Sequence, residues 1–303
     1  MISFFANLFG YVLNFLYELV GNFGVAIILF SILIKVVMLP MSIKQQKTMK
    51  KSQKMNDEMK QIQFKYKNDP EKLNQEVMSL YKREKMSPFS GCFSAIAQII
   101  LLFSVFYLVR SPLTYMRKID TNVIEKLEAI VQEEGNASNY KQIAVLNYIN
   151  NLKSTGSVSE YNTEEFNVND HIDEVYVNMD LFGIDLSKVP TEDLGNIKVL
   201  IIPILYVISS FISIKLTNSM QGAEKNKNLL GDGSDAKKEE YDPMLQANKS
   251  MSWFMPIMSI SIAIIAPLGL ALYWLVNNIL MIIERLVLNK VIKDDKEEAK
   301  DNA

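Results

Sequence analysis

Residues 19–41, 92–109 and 199–217 are each almost wholly apolar and close to the ~20 residues that a helix needs to cross about 30 Å of hydrocarbon. They are read as three membrane spans. Residues 253–288 form a fourth apolar block of nearly twice that length, with Pro267, Leu268 and Gly269 at its middle. Proline ends a helix and glycine admits a tight turn, so this block is read as a hairpin of two spans. The predicted fold is therefore an all-α integral membrane protein with five transmembrane helices. An odd number of spans puts the two termini on opposite sides.

Lysine and arginine placement sets the orientation, because cytoplasmic loops carry their excess. Residues 42–91 hold twelve cations against six acids, whereas residues 110–198 hold eight against fifteen. The first loop is expected inside, as is a short loop at 218–252, and the acidic one outside. The expected location is a bacterial cell membrane, multi-pass, with the amino terminus outside and the tail, residues 289–303, cytoplasmic. Within residues 1–18, Ser3, Asn7, Asn14 and Glu18 recur at helical spacing opposite Phe4, Phe5, Leu8, Val12 and Phe15. That pattern predicts an amphipathic helix at the outer interface, retained because no basic stretch or cleavage site marks a signal peptide.

The first span contains a cation. Lys35 interrupts VAIILFSILIKVVMLPM, and a lysine near a transmembrane helix centre costs roughly 2.5–3.5 kcal/mol on insertion scales. One reading makes it a functional group facing protein or a water-filled cavity. The other lets its stem snorkel to the headgroups beyond Pro40. In the other spans Gln98, Ser209, Ser210, Ser213, Asn277 and Asn278 supply intramembrane polarity, which usually faces a bundle interior. Ordinary interhelical hydrogen bonds explain the serines as well as a groove does.

The basic loop is patterned. Met55, Met59, Ile62 and Tyr66 line one helical face and Leu73, Val77, Leu80 and Tyr81 another, separated by Asn68, Asp69 and Pro70. A turn-forming Asn-Asp before proline predicts an antiparallel helical hairpin in the cytoplasm. Its lysines suit anionic lipid headgroups or ribosomal RNA, and its methionines suit either apolar partner helices or a packing seam.

Enzymatic chemistry is not expected. There is no phosphate-binding loop, no HExxH and no GxSxG, and the one histidine, His171, lies in the acidic outer loop between Asp170 and Asp173. The one cysteine, Cys92, excludes an internal disulfide. No cofactor or metal is expected.

The chain resembles the YidC family of membrane-protein insertases over its whole five-span core. VAIILFSILIKVVMLPM resembles the family's first core span with its groove cation, and KQQKTMKKSQKMNDEMKQIQFKYKNDPEKLNQEVMSLYKRE its cytoplasmic hairpin. GCFSAIAQIILLFSVFYLVR is similar to the segment of the second span, FGIDLS to the stretch before the third, and MSWFMPIMSISIAIIAPLGLALYWLVNNIL to the last two spans. Two departures stand out: Lys35 replaces the family's usual arginine, losing its bidentate fork, and Ser213 aligns with a common glutamine. The loop at 110–198 is also long for a relative without a large outer domain.

The resemblance implies an insertase and chaperone that helps nascent membrane proteins into the bilayer through a cytoplasm-open hydrophilic groove, alone or with the secretion channel. Lys35, Gln98, Ser213, Asn277 and Asn278 would line the groove. Ile204, Ile208, Phe211, Leu275 and Leu280 would form an apolar slide for the substrate helix. Lys50, Lys51, Lys54, Lys60, Lys82 and Arg83 of the hairpin would meet the ribosome, the secretion channel or anionic lipids. The competing readings are a small-solute transporter, which usually shows an internal repeat not found here, and a membrane assembly scaffold or receptor.

Overall fold

A computed structural model describes residues 2–85, 90–135, 138–156, 166–220 and 261–301. The described chain is mostly helical. It divides into two compact units, one of Met1–Lys35, Ile100–Phe211 and Tyr241–Leu280, the other of Val36–Ile99, Ile212–Glu240 and Met281–Ala303. Four helices among the described residues are long and apolar enough to cross a membrane, with candidate spans Ile2–Val20, Phe23–Thr48, Ile197–Leu216 and Leu268–Val291. A shorter apolar stretch, Ile96–Arg110, belongs to the helix of the predicted second span. Most of the predicted fourth span lies outside the described residues, which take up the chain again at a helical segment, 261–265.

The first span begins later than its hydropathy suggests. Leu19 and Val20 end α1 (Ile2–Val20), and Gly21 at φ +66° closes that helix by donating its N–H to Tyr17 O at 2.7 Å. Glycine suits this left-handed position because it has no Cβ. Asn22 then caps α2 (Phe23–Lys65) by accepting from Val25 N at 3.1 Å, so the span starts at Phe23 rather than at residue 19. Helix α2 runs through Pro40 for 43 residues. At 1.5 Å per residue that is roughly 65 Å, about twice the hydrocarbon thickness, so its distal half extends past the membrane.

In the first unit, α1 turns a small-residue face, Ala6 and Gly10, onto a π-helical turn, Leu113–Arg117, that follows α4 (Ser90–Arg110). Its polar residues meet two cations. Lys118 Nζ donates to Asn7 Oδ1 at 2.6 Å, and Arg117 pairs with Glu18 and donates to Asn14 Oδ1 at 3.3 Å. Burial draws the Lys118 ammonium below the usual lysine range. Phe4, Leu8, Tyr11, Phe15 and Leu19 form the exposed side of α1. By length and composition alone this helix could also cross a membrane.

The described residues of the acidic segment between α4 and α8 (Ile197–Met220) are built on α5 (Thr121–Glu133), α6 (Lys141–Thr155) and the one-turn α7 (Ile172–Val175). Helix α6 is clamped at several points. Gln142 accepts from Thr114 N at 3.2 Å and donates to Thr114 Oγ1 at 2.7 Å, while Asn147 accepts from Ser187. Tyr140 donates its hydroxyl to Ile265 O at 3.1 Å. Burial pushes the Tyr140 phenol and the Glu128 carboxyl upward, with Arg110 and Lys141 respectively acting against it. Gln142→Leu keeps the volume but leaves the Thr114 amide without its partner. We expect a loss of about 1 kcal/mol, read as a thermal midpoint lower by a few degrees.

In the second unit, α2 and α3 (Pro70–Arg83) form the expected helical hairpin. Asp69 caps α3 by accepting from Lys72 N at 3.1 Å, and Pro70 occupies the first turn, where its missing N–H loses no bond. Met55 and Leu80 are buried, and Met59, Ile62, Tyr66, Leu73, Val77 and Tyr81 are half-buried. The methionine stripe is thus a packing seam.

Candidate substrate site

Helical spacing decides which way Lys35 faces. On α2, Ile27 and Ser31 are 2% and 1% exposed, and Lys35 continues that i, i+4 row as a half-buried residue. The opposite face carries Leu29, Ile32, Leu33, Val36 and Val37, all exposed. The cation therefore sits on the protein-facing side of the otherwise apolar first half of α2, roughly 18 Å along the axis from Phe23. Ser31, which sequence reading passed over, donates to Ile27 O at 2.8 Å and so satisfies its own hydroxyl.

Helix α8 divides its faces in the same way. Val199, Ile202, Tyr206, Ser209, Ser210 and Ser213 form a buried stripe, while Ile201, Ile204, Leu205, Ile208, Phe211 and Ile212 are exposed. Asn278, half-buried on α9 (Leu268–Asp301), reaches the buried stripe. Its Nδ2 donates to Ser210 Oγ at 2.8 Å and Ser209 Oγ at 3.3 Å. Asn277 is half-buried and bonds Tyr273 on its own helix. Gln98 is exposed on α4 and, like Ser213, belongs to the second unit.

The apolar slide needs one correction. Ile204, Ile208 and Phe211 are about half exposed, at 53%, 50% and 54%, but Leu275 is only 8% exposed and belongs to the core. Every residue from 268 to 275 is buried. The reason is local: Leu268 and Gly269 donate their N–H groups to Lys188 O at 2.9 Å and Leu186 O at 2.8 Å, and Phe23 and Val109 close over Gly269. Leu280 is half-buried, and the exposed apolar positions of α9 among the described residues are Ile279, Ile283, Leu286, Val287 and Val291.

Hairpin cations divide into engaged and exposed. Lys51 bonds the Glu84 carbonyl and lies 3.8 Å from its carboxylate, and Arg83 pairs with Glu58 across the seam. Both pairs are solvent-exposed and join the two arms across the seam. Lys82 is exposed, while the side chains of Lys50, Lys54 and Lys60 lie outside the described residues. Among the described residues no cluster of histidine, cysteine or carboxylates could hold a metal ion.

The structure thus carries a half-buried cation in the apolar part of α2, a polar contact between α8 and α9, and a basic segment along α2 and α3. The family model described as 60Kd inner membrane protein matches residues 15–297. The chain belongs to this family. Its several apolar helices make it a multi-pass member. Among similar proteins, the membrane protein insertase YidC of Rickettsia felis is 28% identical over 280 residues, covering 92% of this chain and 38% of that protein. The membrane protein insertase YidC of Treponema denticola is 25% identical over 283 residues, covering 93% and 37%. The chain thus spans less than two fifths of the length of these 60Kd inner membrane protein relatives.

Proposed function

We propose that the protein is a membrane protein insertase. The observation that carries this reading is Lys35 on the buried face of α2, because a cation held there can attract an acidic tail into the membrane thickness. The Asn278–Ser209–Ser210 contact supports the reading as a polar patch between α8 and α9. Gln98 and Ser213 are proposed to supply intramembrane polarity in the second unit, on the strength of their positions in apolar spans.

A polar tail crosses hydrocarbon more easily when part of the path is hydrated, and the following apolar helix gains free energy on entering lipid. Ile204, Ile208 and Phe211 on the exposed face of α8 are the proposed guide for that helix, and half-buried Leu280 on α9 is a further proposed contact. Nascent membrane proteins are the proposed substrates. The ribosome, the secretion channel and anionic lipids are the proposed partners of the basic hairpin, with Lys82 among its exposed cations. The amino terminus is proposed to lie outside and the carboxyl terminus in the cytoplasm.

The test is reconstitution. Purified protein in lipid vesicles should insert a small single-span protein with an acidic tail, and empty vesicles should not. Equal insertion into both would remove the insertase reading. Solute flux that depends on the protein would favour a transporter instead.

A further inference from the structure

The turn joining β1 (Asp180–Leu181) and β2 (Ile184–Asp185) holds an aromatic residue where the backbone disfavours one. The strands pair in register, Asp180 with Asp185 and Leu181 with Ile184, which leaves a two-residue loop, Phe182-Gly183. Both loop residues have positive φ, +53° and +77°, the pattern of a type I′ hairpin turn. Such turns favour Asn-Gly or Asp-Gly, since a Cβ at the first position is strained. Gly183 meets the rule and Phe182 breaks it. Gly183 N supports the turn by donating to Asp180 Oδ2 at 3.2 Å, but the Phe182 ring gains no cover among the described residues, being 93% exposed.

The surroundings say what the exposed ring faces. The hairpin is fixed to the start of α2: Asn22 Nδ2 donates to Asp180 O at 2.6 Å, Phe23 N donates to Asn178 O at 2.9 Å, and Leu181 and Leu186 pack on Gly24. It also lies beside the start of α8, where Lys198 Nζ is 3.6 Å from the position that a Gly183 Cβ would take. Both helices begin their apolar spans at this level. Ile197, 76% exposed, starts the apolar row that continues along α8 through Ile201 and Ile204. The turn that carries Phe182 thus lies beside the start of an exposed apolar row and next to an exposed lysine.

We propose that Phe182 is a bilayer anchor, inserted at the boundary between headgroups and acyl chains, with Lys198 against lipid phosphate. Aromatic rings favour that boundary, and a lysine there keeps its stem in lipid and its charge in water. The strained turn aims the ring away from the protein. This requires only that α2 and α8 span the membrane, whatever the protein inserts.

Two measurements on the full chain in vesicles at low protein density test it. A spin label at Phe182→Cys, in a Cys92→Ser background, should collide more with oxygen than with a water-soluble nickel chelate. A label at Glu133→Cys on α5 should show the reverse order. Separately, Phe182→Trp should add emission quenched more strongly by lipids brominated near the headgroup than by aqueous acrylamide. A label at 182 that behaves like the one at 133, or new tryptophan emission quenched mainly by acrylamide, would overturn the proposal. So would shielding that appears only at high protein density, because a second copy would then be the cover.

Discussion

Lys35→Glu should reduce insertion of substrates with acidic tails to the level of empty vesicles, while Lys35→Arg should retain it. Two unit charges 4 Å apart interact by about 4 kcal/mol at an effective dielectric near 20. If only a third of that attraction survives in the rate-limiting crossing, Lys35→Ala slows insertion on the order of tenfold. Reversal to glutamate replaces the attraction with repulsion and adds a further loss. The series separates charge from folding, since Lys35→Gln keeps a polar group of similar length without the charge. Each variant's thermal midpoint is measured beside its insertion rate. Neutralising the substrate's tail should make the rate independent of residue 35. Equal rates for Lys35→Ala, Lys35→Glu and the parent with an acidic tail would sink the electrostatic role and leave hydration alone.

What was legible in the sequence follows from how segregated each segment is. The amphipathic arms of the hairpin and their break at Asn68-Asp69-Pro70 were readable, since the apolar rows and the proline both act locally. The direction of Lys35 was not, because α2 is apolar all round in its first half and periodicity gives no face. The burial of Ser31 and Ile27, one and two turns before it, assigns it. Leu275 failed for the same reason: apolar sequence cannot distinguish burial in lipid from burial in protein. The pairings of Lys51 with Glu84 and Arg83 with Glu58 depend on hairpin register, which hydropathy does not encode. Phe182 lay inside FGIDLS, a motif noted only for its resemblance. Its meaning rests on a backbone angle that sequence does not display.

Gly10→Ala should be the most damaging small substitution in α1. Glycine in a helix interior is worse than alanine by about 1 kcal/mol, so on propensity alone the change would stabilise. Packing reverses the sign. A Cβ at Gly10 would lie 1.8 Å from Tyr115 O and 2.6 Å from Tyr115 C, both backbone atoms of the π-helical turn. Backbone cannot rotate aside as a side chain can, so α1 must lift from the turn. Lifting also loosens the contacts of Asn7 with Lys118 and of Glu18 with Arg117. Overpacking a tight site typically costs about 1–3 kcal/mol, and a clash with backbone belongs at the upper end or beyond. The expected readout is a thermal midpoint lower by on the order of 5 °C in detergent. Gly195→Ala is the control, as its Cβ would have nothing within 4 Å and its φ is not positive. A Gly10→Ala protein as stable as the parent would mean that α1 does not seat on the turn at Tyr115.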